Sequence, residues 1–421
     1  MKNSLLAVLG GASTALAAVK GFNYASQGQT YDSFVSQFKT AASLAGTSDF
    51  TSARLYTMIQ EGTTDTPSSA FQAALDTNTT LLLGLWASED QGTFNNELNA
   101  LKSAISQYGS AFADLVVGIS VGSEDLYRIS PTGIAANSGI GQSPDVLVSY
   151  IGQVRSTIKG TSLASKPVGH VDTWNVYVNG SNAEVISNCD FLGLDEYPYF
   201  QTTDSNGIDN NGFLFFQAYD RVAAVAQGKP IWITETGYPV SGPTSNLAVP
   251  GVDAAEEYWQ QVACALENRG IDFWWYILAD NGASPSFGVS NNGQPLYNLA
   301  CNSTAGYTSA SSNSSTASAT SKGNSTSTWH NGSGSSTTPG AGSASATTGS
   351  GSPSGATGAA TTGSLASGAA SGSAAATATA SVTQNGASTT SASTSFTGAA
   401  SRAEGSMAGL AIGAVAAALF W

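Results

Sequence analysis

Short apolar runs, rich in β-branched and aromatic residues, recur along roughly the first 300 residues and then stop. They fall at 19–24, 52–56, 80–86, 115–121, 167–171, 191–194, 230–234 and 271–278. Runs of that length and composition predict β-strands. Between them lie amphipathic stretches at 31–45, 95–108, 146–158, 213–226 and 254–268, whose spacing predicts helices. Several of the strands are apolar throughout instead of alternating, as parallel strands covered on both faces are. Eight such βα units in about 280 residues predict a (β/α)8 TIM barrel. A doubly wound open sheet is the alternative, but no Gly-rich phosphate turn follows the first strand.

A barrel of this kind carries its chemistry where the strands end. Those positions hold Tyr24, Tyr56, Trp86, Glu124, Asp172 with Trp174, Asp195 with Glu196 and Tyr197, Glu235, and the stretch 274–280. Carboxylates and aromatic rings gather there with scarcely a lysine. Such a cleft suits a neutral sugar, because rings stack on the CH-rich face of a pyranose while carboxylates bond hydroxyls and move protons. Tyr24, Tyr56, Trp86, Trp174, Tyr197, Tyr199, Trp275 and Tyr276 are therefore the candidate ring contacts. Asp195 and Glu196 are adjacent strand residues and point to opposite sides. Only one of them faces the site, to bond a sugar hydroxyl or hold a catalytic glutamate.

Charge agrees with this picture. Residues 19–301 contain 11 basic and 27 acidic side chains, which excludes nucleic acid as a partner. Two histidines and three cysteines in the whole chain show no metal-ligand spacing, so neither metal nor cofactor is expected.

Two local sequences carry the reaction. Residues 115–124 form an apolar strand ending in Gly122-Ser123-Glu124, and residues 231–239 form a second, ending in Thr234-Glu235-Thr236-Gly237-Tyr238-Pro239. As the fourth and seventh strands, they face each other across a barrel mouth. A glycosidic bond breaks when one acid protonates the leaving oxygen and a second carboxylate meets the anomeric carbon. For a lone glutamate, a helix cap or a barrel salt bridge would explain the position equally well. Two glutamates in this pattern favour catalysis.

These motifs, with the opening Gly21-Phe22-Asn23-Tyr24 and with Phe273-Trp274-Trp275-Tyr276, resemble glycoside hydrolase family 17. The resemblance covers about residues 19–301 and extends to the fungal, glycolipid-anchored endo-1,3-β-glucanases of that family. It implies a TIM barrel, retaining chemistry, Glu124 as proton donor, Glu235 as nucleophile and β-1,3-glucan as substrate. Ser123 departs from the pattern, since many relatives in the wider clan place an Asn there against the sugar 2-hydroxyl. A shorter serine reaches that hydroxyl, if at all, through water. The mechanism requires Glu124 to hold its proton, and the neighbouring Glu235 charge is expected to raise its pKa. Transfer of glucosyl to a second glucan instead of water is the alternative reaction. A non-catalytic glucan-binding wall mannoprotein is the alternative class, which retention of both glutamates opposes.

The two ends read as addresses. Residues 1–18 combine Lys2, an apolar run and Ala15-Leu16-Ala17, a secretory signal peptide cut after Ala17 or Ala18. Residues 302–398 are almost wholly Ser, Thr, Ala and Gly, an O-glycosylated stalk too poor in large apolar side chains to fold. Residues 399–421 place a polar spacer before an apolar tail of about 15 residues, which reads as a removable glycolipid (GPI) anchor signal with attachment at Gly398. A tail-anchored span is the competing reading, for which the tail is short. A monomer is expected outside the cell, on the outer membrane face and in the wall, remodelling the cell's own glucan. Sequons stand at Asn78, Asn179, Asn302, Asn313, Asn324 and Asn331.

Cys189, Cys264 and Cys301 allow three pairings. Cys264–Cys301 is preferred because it pins the segment past the core onto the last helix, worth about 3–4 kcal/mol by loop closure. Residues 118–122 match a G-x-S-x-G nucleophile elbow, but the β-branched run continues past Ser120 where the elbow must turn. His170 has no partners at metal spacing and reads as a hydrogen-bonder lining the barrel.

Overall fold

The structure, a computed structural model, describes residues 17–280 and 282–301. Most of the leader, the stalk, Gly398 and the sequons Asn302, Asn313, Asn324 and Asn331 lie outside the described residues. Eight parallel strands close into a barrel in chain order: β1 (Lys20–Tyr24), β2 (Ser52–Leu55), β3 (Thr80–Leu85), β4 (Val116–Val121), β5 (Val168–Thr173), β6 (Leu192–Asp195), β7 (Ile231–Glu235) and β8 (Phe273–Trp275). Each falls on a predicted run. The helices are α1 (Tyr31–Ser43), α2 (Ala70–Thr77), α3 (Gln91–Leu115), α4 (Asp125–Arg128), α5 (Pro131–Ala135), α6 (Pro144–Ile158), α7 (Trp174–Tyr177), α8 (Ala183–Asn188), α9 (Ile208–Val225) and α10 (Val252–Arg269). The five predicted helices correspond to α1, α3, α6, α9 and α10. The others run to eight residues at most, too few turns for an apolar stripe to repeat.

Local chemistry starts the long helices where they start. Thr30 and Ser33 form a reciprocal capping box on α1, and Asp90 accepts the Thr93 amide at 2.9 Å to open α3. Pro131 and Pro144 occupy the first turns of α5 and α6, where a missing N–H costs nothing.

Two apolar regions hold the barrel. The larger lies between strands and helices, and includes Phe22, Phe38, Leu83, Leu85, Trp259 and Trp275. The smaller fills the inside, where Leu82, Phe191 and Trp274 pack with Val117 and Trp232 near the starts of their strands. The Phe191 and Trp232 rings stack at 3.9 Å. That floor is possible because Gly118 faces it: a Cβ there would sit 2.7 Å from the Trp232 ring.

The chain end returns to α10. Trp259 donates its indole N–H to the Leu299 carbonyl at 2.9 Å, Gln260 bonds the Ala300 carbonyl at 3.0 Å, and Cys264 is disulfide-bonded to Cys301. Cys189 is a free, buried thiol. Asn78 and Asn179 are both exposed, at a helix end and in a loop.

The floor predicts coupled packing. Gly118→Val should lower stability by about 1–3 kcal/mol, the usual cost of overpacking. The double variant with Trp232→Leu should be more stable than the sum of the two single losses implies. Denaturant midpoints of the four proteins measure this, and simple additivity would contradict it.

Candidate active site

β7 ends at Glu235, and Glu124 lies three residues past the end of β4. Glu124 adopts φ 59° and ψ 26°, a left-handed conformation that costs an L-residue about 1–2 kcal/mol and turns it into the N-cap of α4. Both carboxyls are almost buried, with 6% and 7% of each residue exposed, which leaves only their tips open to a ligand.

Three donors hold Glu235. Its Oε1 accepts from Arg54 Nη1 and from the Tyr56 hydroxyl, each at 2.6 Å, and its Oε2 accepts from the Tyr197 hydroxyl at 2.8 Å. Burial and then the Glu235 charge push both phenols well above the ordinary tyrosine pKa, so they stay protonated and donate. Arg54 is itself enclosed, 1% exposed, with its ring-facing side over Tyr56 at 4.5 Å. It donates to Asn23 Oδ1 at 2.8 Å and through Nη2 to Ser123 Oγ at 3.0 Å. One guanidinium therefore touches Glu235 and the residue beside Glu124. Burial works against its charge, but Asp195 and Glu235 outweigh that and leave it charged.

Glu124 meets a different environment. Burial pushes its carboxyl well above the ordinary glutamate value. The Arg128 guanidinium, 3.8 Å away, opposes this, while the charges of Glu235, Asp195 and Asp172 add to it. The expectation that the Glu235 charge would be the main cause is corrected: desolvation comes first. Asp195 is also pushed up, by burial and then by Glu235. Its Oδ1 accepts the Thr234 hydroxyl at 2.6 Å, and its Oδ2 lies 3.8 Å from Arg54. Glu196 points behind the strand, where Gln201 bonds it at 2.7 Å. Asp195 is thus the member of that pair on the site side.

The structure brings Tyr56, Trp86, Ser123, Asp195 and Tyr197 to this cluster. Tyr56 and Trp86 are buried yet belong to neither apolar core, and Arg128 stacks over Trp86 at 5.2 Å. Tyr276 meets Tyr197 edge-on at 6.0 Å and is raised in pKa by burial and by Glu235. Four candidates face elsewhere. Tyr24 packs edge-on against Phe38 of α1 at 4.9 Å, Trp275 against Trp259 of α10 at 4.8 Å, and Trp174 under Arg221 of α9 at 4.8 Å. Tyr199 donates to the Pro243 carbonyl and packs with Tyr238 and Phe287. The correction follows from strand alternation: Asn23, Trp274 and Tyr276 point inward, so Tyr24 and Trp275 point outward.

Arg54, Asn23, Arg128 and Thr234 are site residues that the strand-end reading passed over. Period-two alternation was the available signal for Arg54, which sits two positions before Tyr56 on the same face. Among the described residues no cluster of His, Cys, Asp and Glu has the arrangement of a metal site. The cluster offers one carboxyl raised in pKa by burial, a second gripped by three donors, and the rings of Tyr56, Tyr197 and Trp86 beside them.

Known proteins share this architecture and sequence. The family profile described as the BtgE/BtgC glycoside hydrolase domain matches residues 21–285. A probable glucan endo-1,3-beta-glucosidase of Aspergillus fumigatus is 53% identical over 303 residues, covering 69% of this chain and 67% of its own. Its counterpart in Aspergillus oryzae is 55% identical over 320 residues, covering 73% and 68%. A glycoside hydrolase family 17 beta-1,3-glucanosyltransferase from Rhizomucor miehei shares the fold with a TM-score of 0.55 at 24% identity, over 67% of this chain and 98% of that one. With its closed barrel, its paired glutamates and a profile match over most of the folded region, the chain belongs to the BtgE/BtgC glycoside hydrolase family.

Proposed function

We propose that this protein is a retaining endo-β-1,3-glucanase in which Glu235 is the nucleophile and Glu124 the acid and base. The observation that carries the assignment is the unequal treatment of the two carboxyls. Glu235 is an acceptor for three donors, whereas Glu124 is kept protonated by burial. Substrate and linkage rest on the curated relatives named as glucan endo-1,3-beta-glucosidases.

The reaction follows from these roles. A Glu235 oxygen attacks the anomeric carbon as the glycosidic C–O bond breaks, and the Glu124 proton passes to the departing oxygen. The glucosyl–Glu235 ester then meets a water whose proton returns to Glu124, and the sugar leaves with its configuration retained. This double displacement needs the carboxyls about 5–5.5 Å apart. Tyr56, Tyr197 and Arg54 orient the nucleophile and spread its charge, and they release it as the ester forms. Trp86 and Tyr276 flank the cluster as stacking surfaces.

The chain is further proposed to act outside the cell as a monomer, held by a glycolipid at Gly398 and working on wall glucan. The leader-like start, the sequons and the small-residue triplet before an apolar tail support this reading. Release of the protein from intact cells by a phosphatidylinositol-specific phospholipase C is expected; retention after complete digestion would oppose the anchor.

Glu124→Gln and Glu235→Gln should each lower reducing-sugar release from linear β-1,3-glucan by about a thousandfold or more, with unfolding midpoints little changed. Full activity in either variant would overturn the assignment. The active form needs Glu124 protonated, so kcat/KM should fall as pH rises through its raised pKa. The alkaline limb is therefore expected above the ordinary glutamate value, and a limb at or below it would contradict the burial argument. Incubation with a single β-1,3-oligosaccharide should yield shorter products only; longer ones would mean that a second glucan replaces water.

A further inference from the structure

We propose that His170 and Asp172 form a buried ion pair whose role is to hold Glu124 in the orientation of a proton donor. This inference rests on the assignment of Glu124 as the acid. Both residues are 0% exposed and lie two apart on β5, on its helix-facing side. Neither touches the cleft.

The protonation of the pair follows from its partners. His170 Nδ1 is 2.7 Å from the Val121 carbonyl oxygen, which only accepts, so Nδ1 carries a hydrogen. His170 Nε2 is 3.0 Å from Asp172 Oδ2. That carboxyl already accepts the amides of Leu126 at 2.9 Å, Tyr127 at 3.3 Å and Thr173 at 2.9 Å. A carboxyl receiving three N–H groups is ionised and has no proton to offer, so Nε2 must donate as well. The ring is an imidazolium.

The pair brackets the acid along the chain. Val121, whose carbonyl His170 binds, lies three residues before Glu124, and Leu126 and Tyr127, whose amides Asp172 binds, come just after it. The Glu124 amide itself donates to the Val171 carbonyl at 2.9 Å, between the two partners. Three successive residues of β5 therefore clamp the segment in which Glu124 is left-handed. Gly122, at φ 80°, is part of the same turn, and a Cβ there would sit 2.0 Å from Asp125 Oδ2. A turn this unfavourable for side chains persists only where its surroundings over-determine it.

Other groups around the ring fit a cation. Asp125 of α4 adds negative charge, and the Tyr177 ring of α7 stands 6.4 Å away with its hydroxyl donating to the His170 carbonyl. Cys189 lies behind the strand as a neutral thiol, and on the mouth side the Arg128 guanidinium stands 3.8 Å from the Glu124 carboxyl. Burial opposes the imidazolium, but Asp172, Asp125 and the Val121 carbonyl outweigh it and raise its pKa above the ordinary histidine value. With a raised folded-state pKa, the clamp is complete below the unfolded value and is lost as pH rises through the folded one.

Leaving-group dependence tests the proposal. In the full-length secreted protein, kcat/KM for a laminari-oligosaccharide, whose alkoxide must be protonated, is compared with that for 2,4-dinitrophenyl β-laminaribioside, whose phenolate leaves unaided. Asp172→Asn and His170→Gln should each lose about a hundredfold on the oligosaccharide and less than about fivefold on the aryl glycoside. Asp172→Asn should also move the alkaline limb to lower pH, because one negative charge near Glu124 is gone. His170→Gln keeps an amide donor toward Val121 and supplies the comparison if Asp172→Asn does not fold. Equal losses on the two substrates, or no loss on either, would overturn the proposal. Glu124→Gln run alongside separates the two ideas. If it is selective and the β5 variants are not, only the clamp fails; if it is unselective, the acid assignment fails and takes the clamp with it.

Discussion

A single guanidinium enclosed by the barrel organises the site. Arg54 is 1% exposed, and leaving such a charge without partners would cost several kcal/mol. Glu235, Asn23 and Ser123 bond it directly, and Asp195 completes the ring of partners at 3.8 Å. The same bonds that offset its burial fix Glu235 in place. Among the described residues Glu124 has no such partner at bonding distance: burial raises its pKa, and the Arg128 guanidinium at 3.8 Å opposes this. Two glutamates of identical chemistry thus meet opposite surroundings, three hydrogen-bond donors for Glu235 and a pKa raised by burial for Glu124.

The rest of the fold serves that separation. Trp232, Trp274 and Phe191 pack the inside of the barrel with apolar surface below the charged groups. Above the floor the inward positions turn polar, through Asn23, Arg54, Thr234 and Asp195. Along these strands the inward face thus changes from apolar to polar, and Glu124 and Glu235 stand at the far end of that gradient.

Much of this was legible in the sequence. The eight strands were visible because parallel strands buried on both faces are apolar without interruption, and that pattern survives without knowledge of the fold. Glu124 and Glu235 were visible because a carboxylate closing an apolar strand is costly unless it has a use. Side-chain direction was harder to read. In a continuously apolar strand nothing marks which face is inside, so Tyr24 and Trp275 were read into the cleft although they pack under α1 and α10. Trp174 was misplaced because a ring past a strand end has no alternation to follow. Arg54 is a lone cation among carboxylates and rings and so does not stand out by type, though its spacing from Tyr56 puts both on one face. The clamp on β5 was invisible for another reason: its partners are backbone carbonyls and amides, which no residue letter records.

The free cysteine has a consequence of its own. Burial pushes the Cys189 thiol up to about 12, and only a thiolate attacks a disulfide. At any pH where the enzyme works, the third sulfur is therefore inert toward the Cys264–Cys301 bond, although an oxidising compartment would otherwise invite scrambling between them. Closing the barrel makes the correct cross-link self-protecting, and an odd number of cysteines becomes harmless once the chain has folded.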